Sequence, residues 1–328
     1  MKFLISIGSY ERTIYGIDIE VKTSEYDPKS ISLEGKVGFA VPAHNGYIKC
    51  IASCPKYLVS GGVDEVIRIF DLKKRKDIGS INQHDGSIKA LDFYESTHMI
   101  SAADDGLLVV HRTRDWECLE VLKKHKNPIQ DMQIHPSGKL AVAIDDAKNL
   151  TLWNLITGKL AYSSKIPALG KIDRIIWSGT GRYYALLGET HLLVYEARTS
   201  QKIVDLKAGT LVGKVRTEKW LTAAFVHDEA LVFAGESGKL HMIKMNSPTE
   251  RFLVETGHKP RIRAVKFFSP SEGTDFLITA SSDGVIQVFN WDNLNASMKL
   301  SGETVEQVEP IFTHNSELRI TCLTVTLQ

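Results

Sequence analysis

Histidine, serine and aspartate recur together along this sequence, and these three residue types can form a hydrogen-bonded catalytic triad. Two such sets are present: His44, Ser60 and Asp64, and His84, Ser101 and Asp105. In a triad the histidine takes the hydroxyl proton of the serine, and the aspartate orients the imidazole. Histidine and aspartate are also common metal ligands. Because the set repeats, a structural role is the alternative: the same hydrogen bonds would tie together each unit of a repeated fold.

Short β-strands are the elements that would position these residues. The segment His84–Lys124 contains four apolar runs of strand length: Ile88–Phe93, His98–Ala102, Leu107–His111 and Trp116–Leu122. Asp105-Gly106 lies between two of the runs and is a strong hairpin signal, because glycine takes the positive φ that a tight turn needs. The segment therefore predicts a small antiparallel sheet of four strands. Such a sheet cannot bury both faces alone and needs neighbours.

The same unit recurs along most of the chain. The third run of successive units ends at Phe70, His111, Trp153, Tyr195, Ile243 and Phe289, in steps of 41, 42, 42, 48 and 46 residues. A period near 40–45 residues with four strands per repeat is typical of a β-propeller of the WD type. The chain resembles the WD40-repeat proteins over nearly its whole length. The Trp-Asp dipeptide of that family is mostly lost, and its remnants are Phe70-Asp71, Trp153-Asn154 and Trp291-Asp292.

This resemblance implies a role for the repeated polar residues. In WD propellers the repeat histidine and an aspartate in the following turn belong to a hydrogen-bonded set that ties each blade together. The resemblance gives that blade-tying role, with Ser60 and Ser101 in the same set, to His44, Asp64, His84, Asp105 and Asp283. These residues are therefore interpreted as structural rather than catalytic, and no metal or cofactor site is predicted.

The two ends of the chain each hold part of one repeat. Strands expected at residues 3–9, 13–20 and around 31–41 match the second to fourth strands of a unit, and residues 318–325 match the missing first strand. We therefore predict an all-β, seven-bladed WD40-type propeller, closed when the C-terminal strand joins an N-terminal three-strand blade. The predicted single domain, 1–328, has a closing blade of residues 1–43 plus 315–328 and further blades at about 44–83, 84–124, 125–166, 167–206, 207–256 and 257–314. The last two are enlarged, the final one by an insertion at 292–304, which is either functional or a tolerated surface loop.

Composition excludes several classes of protein. With 328 residues, 43% of them hydrophobic, and a formal net charge of +1, the chain can bury a large core. No apolar run approaches the roughly 18–20 residues that span a bilayer, so no membrane association is expected. Cys50, Cys54, Cys118 and Cys322 lack metal-ligand spacing and are interpreted as reduced thiols. No glycine pattern has the context of a nucleotide-binding loop, so neither a cofactor nor a small-molecule substrate is expected.

Basic residues are the more informative functional feature. Lys73, Lys74, Arg75 and Lys76 form a run that is a nuclear-import signal, a phosphate contact or a solvated loop. A second set occurs in loops that lead into the first strand of successive units: Lys123, Lys124, Lys126, Lys214, Arg216, Lys219, Arg261 and Arg263. In a propeller such loops emerge on one face. They are candidates for binding a partner protein or RNA, unless neighbouring turn acids neutralise them.

Several segments resemble one family within the WD-repeat proteins. They are DEVIRIFDLKKRKDIG at 64–79, DWECLEVLKKHK at 115–126, IHPSGKLAVAI at 134–144, TASSDGVIQVFNW at 279–291 and LRITCLTV at 318–325. These segments are similar to the p21-activated-kinase-interacting WD-repeat proteins, whose fungal members are assembly factors of the large ribosomal subunit. The family typically carries a lysine-rich tail after the propeller, whereas this sequence ends at Gln328.

The resemblance implies a function as well as a fold. We expect a non-enzymatic scaffold in biogenesis of the 60S subunit, located in the nucleolus or nucleus. Its expected partners are proteins of the pre-60S particle and precursor rRNA. The alternative is a signalling adaptor that binds and restrains a p21-activated kinase.

Overall fold

The protein, described here from a computed structural model, is built almost entirely from β-strands. The structure describes residues 1–23, 31–166, 170–188, 190–207, 219–259, 261–270, 274–300 and 307–328. Across these residues the chain forms 29 strands and one helix. The strands form seven antiparallel sheets, six of four strands and one of five. They fall into two compact units, residues 44–220 and residues 1–43 with 221–328.

The unit formed by residues 44–220 contains four sheets, and in each of them sequential strands are hydrogen-bonded neighbours. The first two sheets are β4 (Ile48–Ser53), β5 (Tyr57–Gly62), β6 (Ile67–Asp71) and β7 (Lys76–Ile81), then β8 (Ile88–Tyr94), β9 (His98–Ala103), β10 (Leu107–Arg112) and β11 (Cys118–Lys123). The next two are β12 (Ile129–Ile134), β13 (Leu140–Asp145), β14 (Asn149–Asn154) and β15 (Lys159–Lys165), then β16 (Ile172–Trp177), β17 (Tyr183–Gly188), β18 (His191–Glu196) and β19 (Lys202–Lys207).

The other unit contains three sheets. One combines strands from both ends of the chain: β1 (Lys2–Ser9), β2 (Thr13–Thr23), β3 (Ile31–Pro42) and β29 (Ile320–Leu327). The second is formed by β20 (Trp220–Val226), β21 (Ala230–Gly235), β22 (Lys239–Lys244), β23 (Ser247–Glu255) and β27 (Lys299–Leu300). The third is formed by β24 (Ile262–Phe268), β25 (Phe276–Ser281), β26 (Val285–Asn290) and β28 (Phe312–Asn315).

The predicted closure of the N-terminal sheet is confirmed. β29 pairs with β1 in an antiparallel register that places Ile5 opposite Val325 and Ile7 opposite Leu323. Seven of the eight residues of β1 are buried, so its second edge needs a partner inside the protein. Seven sheets of this repeated antiparallel order confirm the predicted seven-bladed β-propeller fold class. The predicted limits of the domain and of the blades stay a prediction.

Burial explains why each repeat forms four strands of different composition. In the first sheet of unit 44–220, every residue of β5 is buried, whereas every residue of the fourth strand β7 is exposed or half-buried. Continuous apolar runs therefore mark the middle strands, and polar, alternating runs mark the fourth. The hairpin between β9 and β10 has Gly106 at a φ of +79°, as the Asp-Gly signal predicts.

Neighbouring sheets of this unit are linked by carboxylates on their first strands. The Asp92 carboxylate on β8 accepts the backbone N–H of Ile134 on β12 at 2.8 Å. The buried Asp131 carboxylate on β12 accepts the N–H of Ile175 on β16 at 2.7 Å. Each bond spans one repeat, so the spacing of the polar residues in the first strands follows the period of the fold.

Two glycines are required where sheets meet. Gly138 has a φ of +68°, and a Cβ placed there would lie 2.3 Å from the ring of Tyr94 in the preceding sheet. Gly181 repeats the arrangement one sheet further on, with a φ of +77° and the ring of His135 at 2.0 Å from the added Cβ. Both glycines lie in turns between the first two strands of a sheet, where an aromatic ring of the previous repeat packs against bare backbone.

The structure differs from the sequence prediction at two places. The fourth strand of the second repeat begins at Cys118 rather than Trp116, because Trp116 adopts a φ of +60° in a turn where its N–H bonds to the Arg112 carbonyl at 2.8 Å. Helix α1 (Trp291–Ser297) begins one residue before the predicted insertion at 292–304, and β27 follows it within the insertion. β27 pairs with β23, so part of the insertion adds a fifth strand to the preceding sheet.

Candidate functional site

The structure brings both histidine–serine–aspartate sets together. Nδ1 of His44 lies 2.9 Å from Oδ1 of Asp64, and its Nε2 lies 2.7 Å from Oγ of Ser60. In the next sheet His84 makes the same contacts, with Nδ1 2.8 Å from Asp105 and Nε2 2.8 Å from Oγ of Ser101. Because an ionised carboxylate only accepts, Nδ1 of each histidine donates and Nε2 accepts the serine proton.

These bonds have the connectivity of a catalytic triad, but burial prevents triad chemistry. Ser60 and Ser101 are fully buried, so a substrate cannot reach either hydroxyl. Burial also lowers the pKa of His44, which favours the neutral imidazole. Burial alone would raise the pKa of Asp64, but hydrogen bonds from the Asn45 N–H and from His44 outweigh it and hold that pKa below its ordinary value. The set joins the loop before the first strand to the second strand and the turn after it, and so holds one sheet together.

The third repeat contains a related set that the sequence analysis missed. His125 bonds through Nδ1 to Asp145 at 3.0 Å and through Nε2 to Thr151 at 2.7 Å. Thr151 Oγ1 also accepts the indole N–H of Trp153 at 3.1 Å. Here the hydroxyl comes from the third strand instead of the second. The spacing of 20 residues between His125 and Asp145, which equals that between His44 and Asp64, is the signal that could have found it.

Asp283 lies in a different arrangement. Its carboxylate accepts the hydroxyl of Ser281 and the N–H of Val285, the latter at 3.3 Å. The histidine of this repeat, His258, bonds instead through Nε2 to Thr279 at 2.8 Å. Burial lowers the pKa of His258 to about 4. The blade-tying role of Asp283 therefore stays a prediction, and its observed partners are within its own turn.

The basic candidates are mostly exposed. Lys73, Lys74 and Lys76 are exposed, and Arg75 is half-buried with a φ of +53° in the turn between β6 and β7. The residues at the end of β11 and in the loop that follows are also exposed: Lys123, Lys124 and Lys126.

In the other unit Arg261 is exposed directly before β24, and Arg263 is half-buried within that strand. Lys219 is half-buried before β20, whereas Lys214 and Arg216 lie outside the described residues. The partner-binding role of this whole basic set stays a prediction.

A repeated β-bulge brings together two further lysines that the sequence analysis missed. The register skips one residue near the start of the first strand of several sheets, at Lys49, Lys89, Gln130, Asp173, Arg263 and Thr321. Lys49 and Lys89 lie 3.7 and 3.0 Å from the carboxylate of Asp104. Burial, followed by the nearby charge of Lys89, lowers the pKa of Lys49. This cluster carries one more positive than negative charge and belongs with the basic candidates.

Across the described residues, no group of three or more histidine, cysteine, aspartate or glutamate side chains is placed to hold a metal ion. No helix in the part of the chain that the structure describes is long and apolar enough to cross a membrane.

Comparison with known proteins places the chain in a family. The family model described as WD domain, G-beta repeat, matches residues 35–71, 116–154 and 249–290. The chain is 31% identical over 322 residues to the "p21-activated protein kinase-interacting protein 1-like" of Gallus gallus, covering 98% of this chain and 79% of the relative. It belongs to the p21-activated protein kinase-interacting protein family of WD-repeat proteins.

Fungal relatives extend the comparison. "Protein MAK11" of Saccharomyces cerevisiae is 29% identical over 329 residues, which cover 89% of this chain and 78% of that protein. "Shk1 kinase-binding protein 15" of Schizosaccharomyces pombe is 26% identical over 294 residues, covering 87% and 77%. The family resemblance drawn from the sequence is therefore confirmed. WD40 propellers are typically binding scaffolds, and the names of the chicken and Schizosaccharomyces pombe relatives describe interactors rather than enzymes.

Proposed function

We propose that this protein is a non-catalytic scaffold in the assembly of the large ribosomal subunit. It would act in the nucleolus or nucleus and dock on pre-60S particles through both protein and rRNA. The proposal is supported by the family expectation for fungal members, together with the match to a yeast relative over most of the chain. The buried hydroxyls of the two histidine sets, which leave no accessible nucleophile there, support a binding role over a catalytic one.

The observation that carries the RNA-binding part is the exposure of the basic residues. Lys123, Lys124 and Lys126 are exposed at the end of β11 and in the loop that follows, and Arg261 is exposed directly before β24, in which Arg263 is half-buried. Lysine supplies a general positive field, whereas the planar guanidinium of arginine can fork onto phosphate or stack on bases. Binding that depends on these residues should weaken as salt rises.

Charge reversal tests this proposal. Arg261→Glu combined with Arg263→Glu should release the protein from pre-60S fractions in sucrose gradients at moderate salt, with little change in melting temperature. The matched control reverses two exposed lysines elsewhere, Lys139 and Lys159, and changes the net charge equally. If the double arginine variant stays bound across a salt titration while the control does too, the arginines are not contacts.

In that case the run Lys73–Lys76 becomes the next candidate, tested by the same charge reversal. A protein that never sediments with pre-60S particles or precursor rRNA would refute the scaffold proposal itself.

A second candidate function is an adaptor that binds and restrains a p21-activated kinase. It is favoured by the names of the chicken and Schizosaccharomyces pombe relatives, which describe binding to a kinase. Co-purification separates the two candidates, because an adaptor should recover a kinase in stoichiometric amount from ribosome-depleted extract and reduce the activity of that purified kinase. A scaffold should instead recover pre-60S proteins and lose them after ribonuclease treatment or charge reversal.

A further inference from the structure

A groove lies between two neighbouring sheets of the unit 44–220, those formed by β8–β11 and by β12–β15. It encloses a cavity of about 450 Å³. Its floor is apolar and almost completely buried, with Ile100 exposed by 1%, Leu122 by 2% and Ile134 by 6%. A concave site of this size with an apolar lining is typical of a place where a small group or a few side chains bind.

The mouth of the groove is also apolar, although it faces solvent. Leu119 on β11 is 41% exposed, and Ile156 in the turn between β14 and β15 is 72% exposed. A single exposed aliphatic side chain is ordinary. Here Leu119 and Ile156 belong to the two different sheets that line one cavity. A bound side chain could therefore cover both of them and the apolar floor, and remove that apolar area from water.

The wall that carries Ile156 is held in place. The Asn154 side-chain oxygen accepts the backbone N–H groups of Ile156 at 3.0 Å and of Thr157 at 3.1 Å. Gly158 follows with a φ of +65°, which ends the turn. Because the turn is fixed by these bonds, the exposed position of Ile156 exists before any partner binds, and less conformational entropy is lost on binding.

One carboxylate gives the rim its charge. Glu120 lines the cavity, and a Cβ placed on Gly158 across the groove would lie 3.6 Å from its Oε2. Among the described residues, no cation or hydrogen-bond donor contacts the Glu120 carboxylate. An anionic ligand such as a nucleic-acid phosphate would be repelled here, whereas a lysine or arginine would be attracted.

We propose that this groove, lined by Leu119, Glu120 and Ile156, binds a short segment of a protein partner. The segment places a large apolar side chain between Leu119 and Ile156 and a lysine or arginine against Glu120. The volume suits one or two side chains rather than a folded surface. The proposal rests on the scaffold function and names one protein-docking site for it. Because the test uses purified protein without ribosomal particles, the docking proposal and the scaffold proposal can fail separately.

Peptide selection is the test. A displayed library of random twelve-residue peptides is selected on the immobilised full chain, and enriched peptides are synthesised and titrated by fluorescence polarisation. Enriched sequences should hold a large apolar residue within a few positions of lysine or arginine. Glu120→Lys should weaken their binding at least tenfold, and Ile156→Asp should abolish it. Both residues are exposed, so the melting temperatures of these variants should stay close to the wild-type value.

Matched controls make the same chemical changes outside the groove. Ile78→Asp replaces an isoleucine that is 42% exposed on β7, and Glu250→Lys reverses an exposed acid on β23. Neither should alter peptide binding. The proposal is overturned if no apolar–basic sequence is enriched, or if the groove variants bind as the controls do. It is also overturned if the chain self-associates in light scattering and Ile156→Asp dissociates it, because a second copy would then be the occupant.

Discussion

His111, on the third strand of the second repeat, makes the stability of the protein depend on pH, and replacing it measures that dependence. His111 on β10 is 1% exposed, and neither ring nitrogen makes a hydrogen bond of normal geometry. Burial, followed by the nearby charge of His84, lowers its pKa to about 4, against the opposing effect of the Trp116 backbone. The site is suited to an apolar ring, because the equivalent positions in neighbouring sheets hold Phe70 and Trp153.

The sign and size of the effect follow from linkage. The folded-state pKa of His111 lies below its unfolded value, so the unfolded chain binds more protons and stability falls as pH falls through the window from about 6.5 to 4. At pH 4.5 the loss attributable to this one side chain is about 2.5 kcal/mol relative to neutral pH. His111→Phe removes the titrating group and should therefore lose about that much less stability than the wild type on acidification.

Urea denaturation followed by tryptophan fluorescence at pH 7.5, 6.5, 5.5 and 4.5 measures the difference. The reciprocal variant Phe70→His places an imidazole in a matched site that is 3% exposed, and it should add acid sensitivity of the same sign. At neutral pH, His111→Phe should be neutral or stabilising, because no buried ring nitrogen is left without a partner. A difference in unfolding free energy between His111→Phe and wild type that stays constant from pH 7.5 to 4.5 would mean that His111 does not contribute to the acid sensitivity of the fold.

Three further predictions concern the fold. Deleting the residues after Asn315 removes β29 and should lower the melting temperature of the whole protein, and an unchanged value would contradict the closing role of that strand. Asp105→Ala leaves the buried Nδ1 donor of His84 unpaired and should cost about 1–3 kcal/mol of unfolding free energy in urea without loss of partner binding; lost binding at full stability would make Asp105 a contact residue. Gly138→Ala should destabilise by about 1–2 kcal/mol or more because of its positive φ and the ring of Tyr94, whereas Gly179→Ala, with open space at its Cβ, should not; equal melting temperatures would contradict this.

Periodicity made most of the fold predictable. The strands of each repeat are apolar runs bounded by turn formers, and the runs recur at one spacing, so the sheets and the pairing of the chain ends could be derived from sequence. The positive φ of Trp116 was not predictable, because the residue is large and apolar and continues the run. β27 was not predictable either, since two residues carry no periodicity and their strand geometry depends on pairing with β23.

The candidate site was predictable only where residue types repeat. The sets around His44 and His84 share one pattern, and the structure brings each together. Thr151 was missed because its hydroxyl reaches the same histidine nitrogen from a different strand. Lys49 and Lys89 were missed because a β-bulge has no compositional signal, and their convergence on one carboxylate depends on the packing of two sheets.

The pairing of β29 with β1 has a consequence for synthesis on the ribosome. β1, β2 and β3 leave the exit tunnel well before β29, because the strand that completes their sheet follows about 280 residues later, which at 5–20 residues per second is a delay of roughly 15–60 s. Throughout that interval the apolar β1 presents an unpaired edge to every nascent chain and chaperone nearby. This sheet is thus begun long before the strand that completes it is made, and an interruption of translation between β3 and β29 leaves the edge of β1 as a template for aggregation.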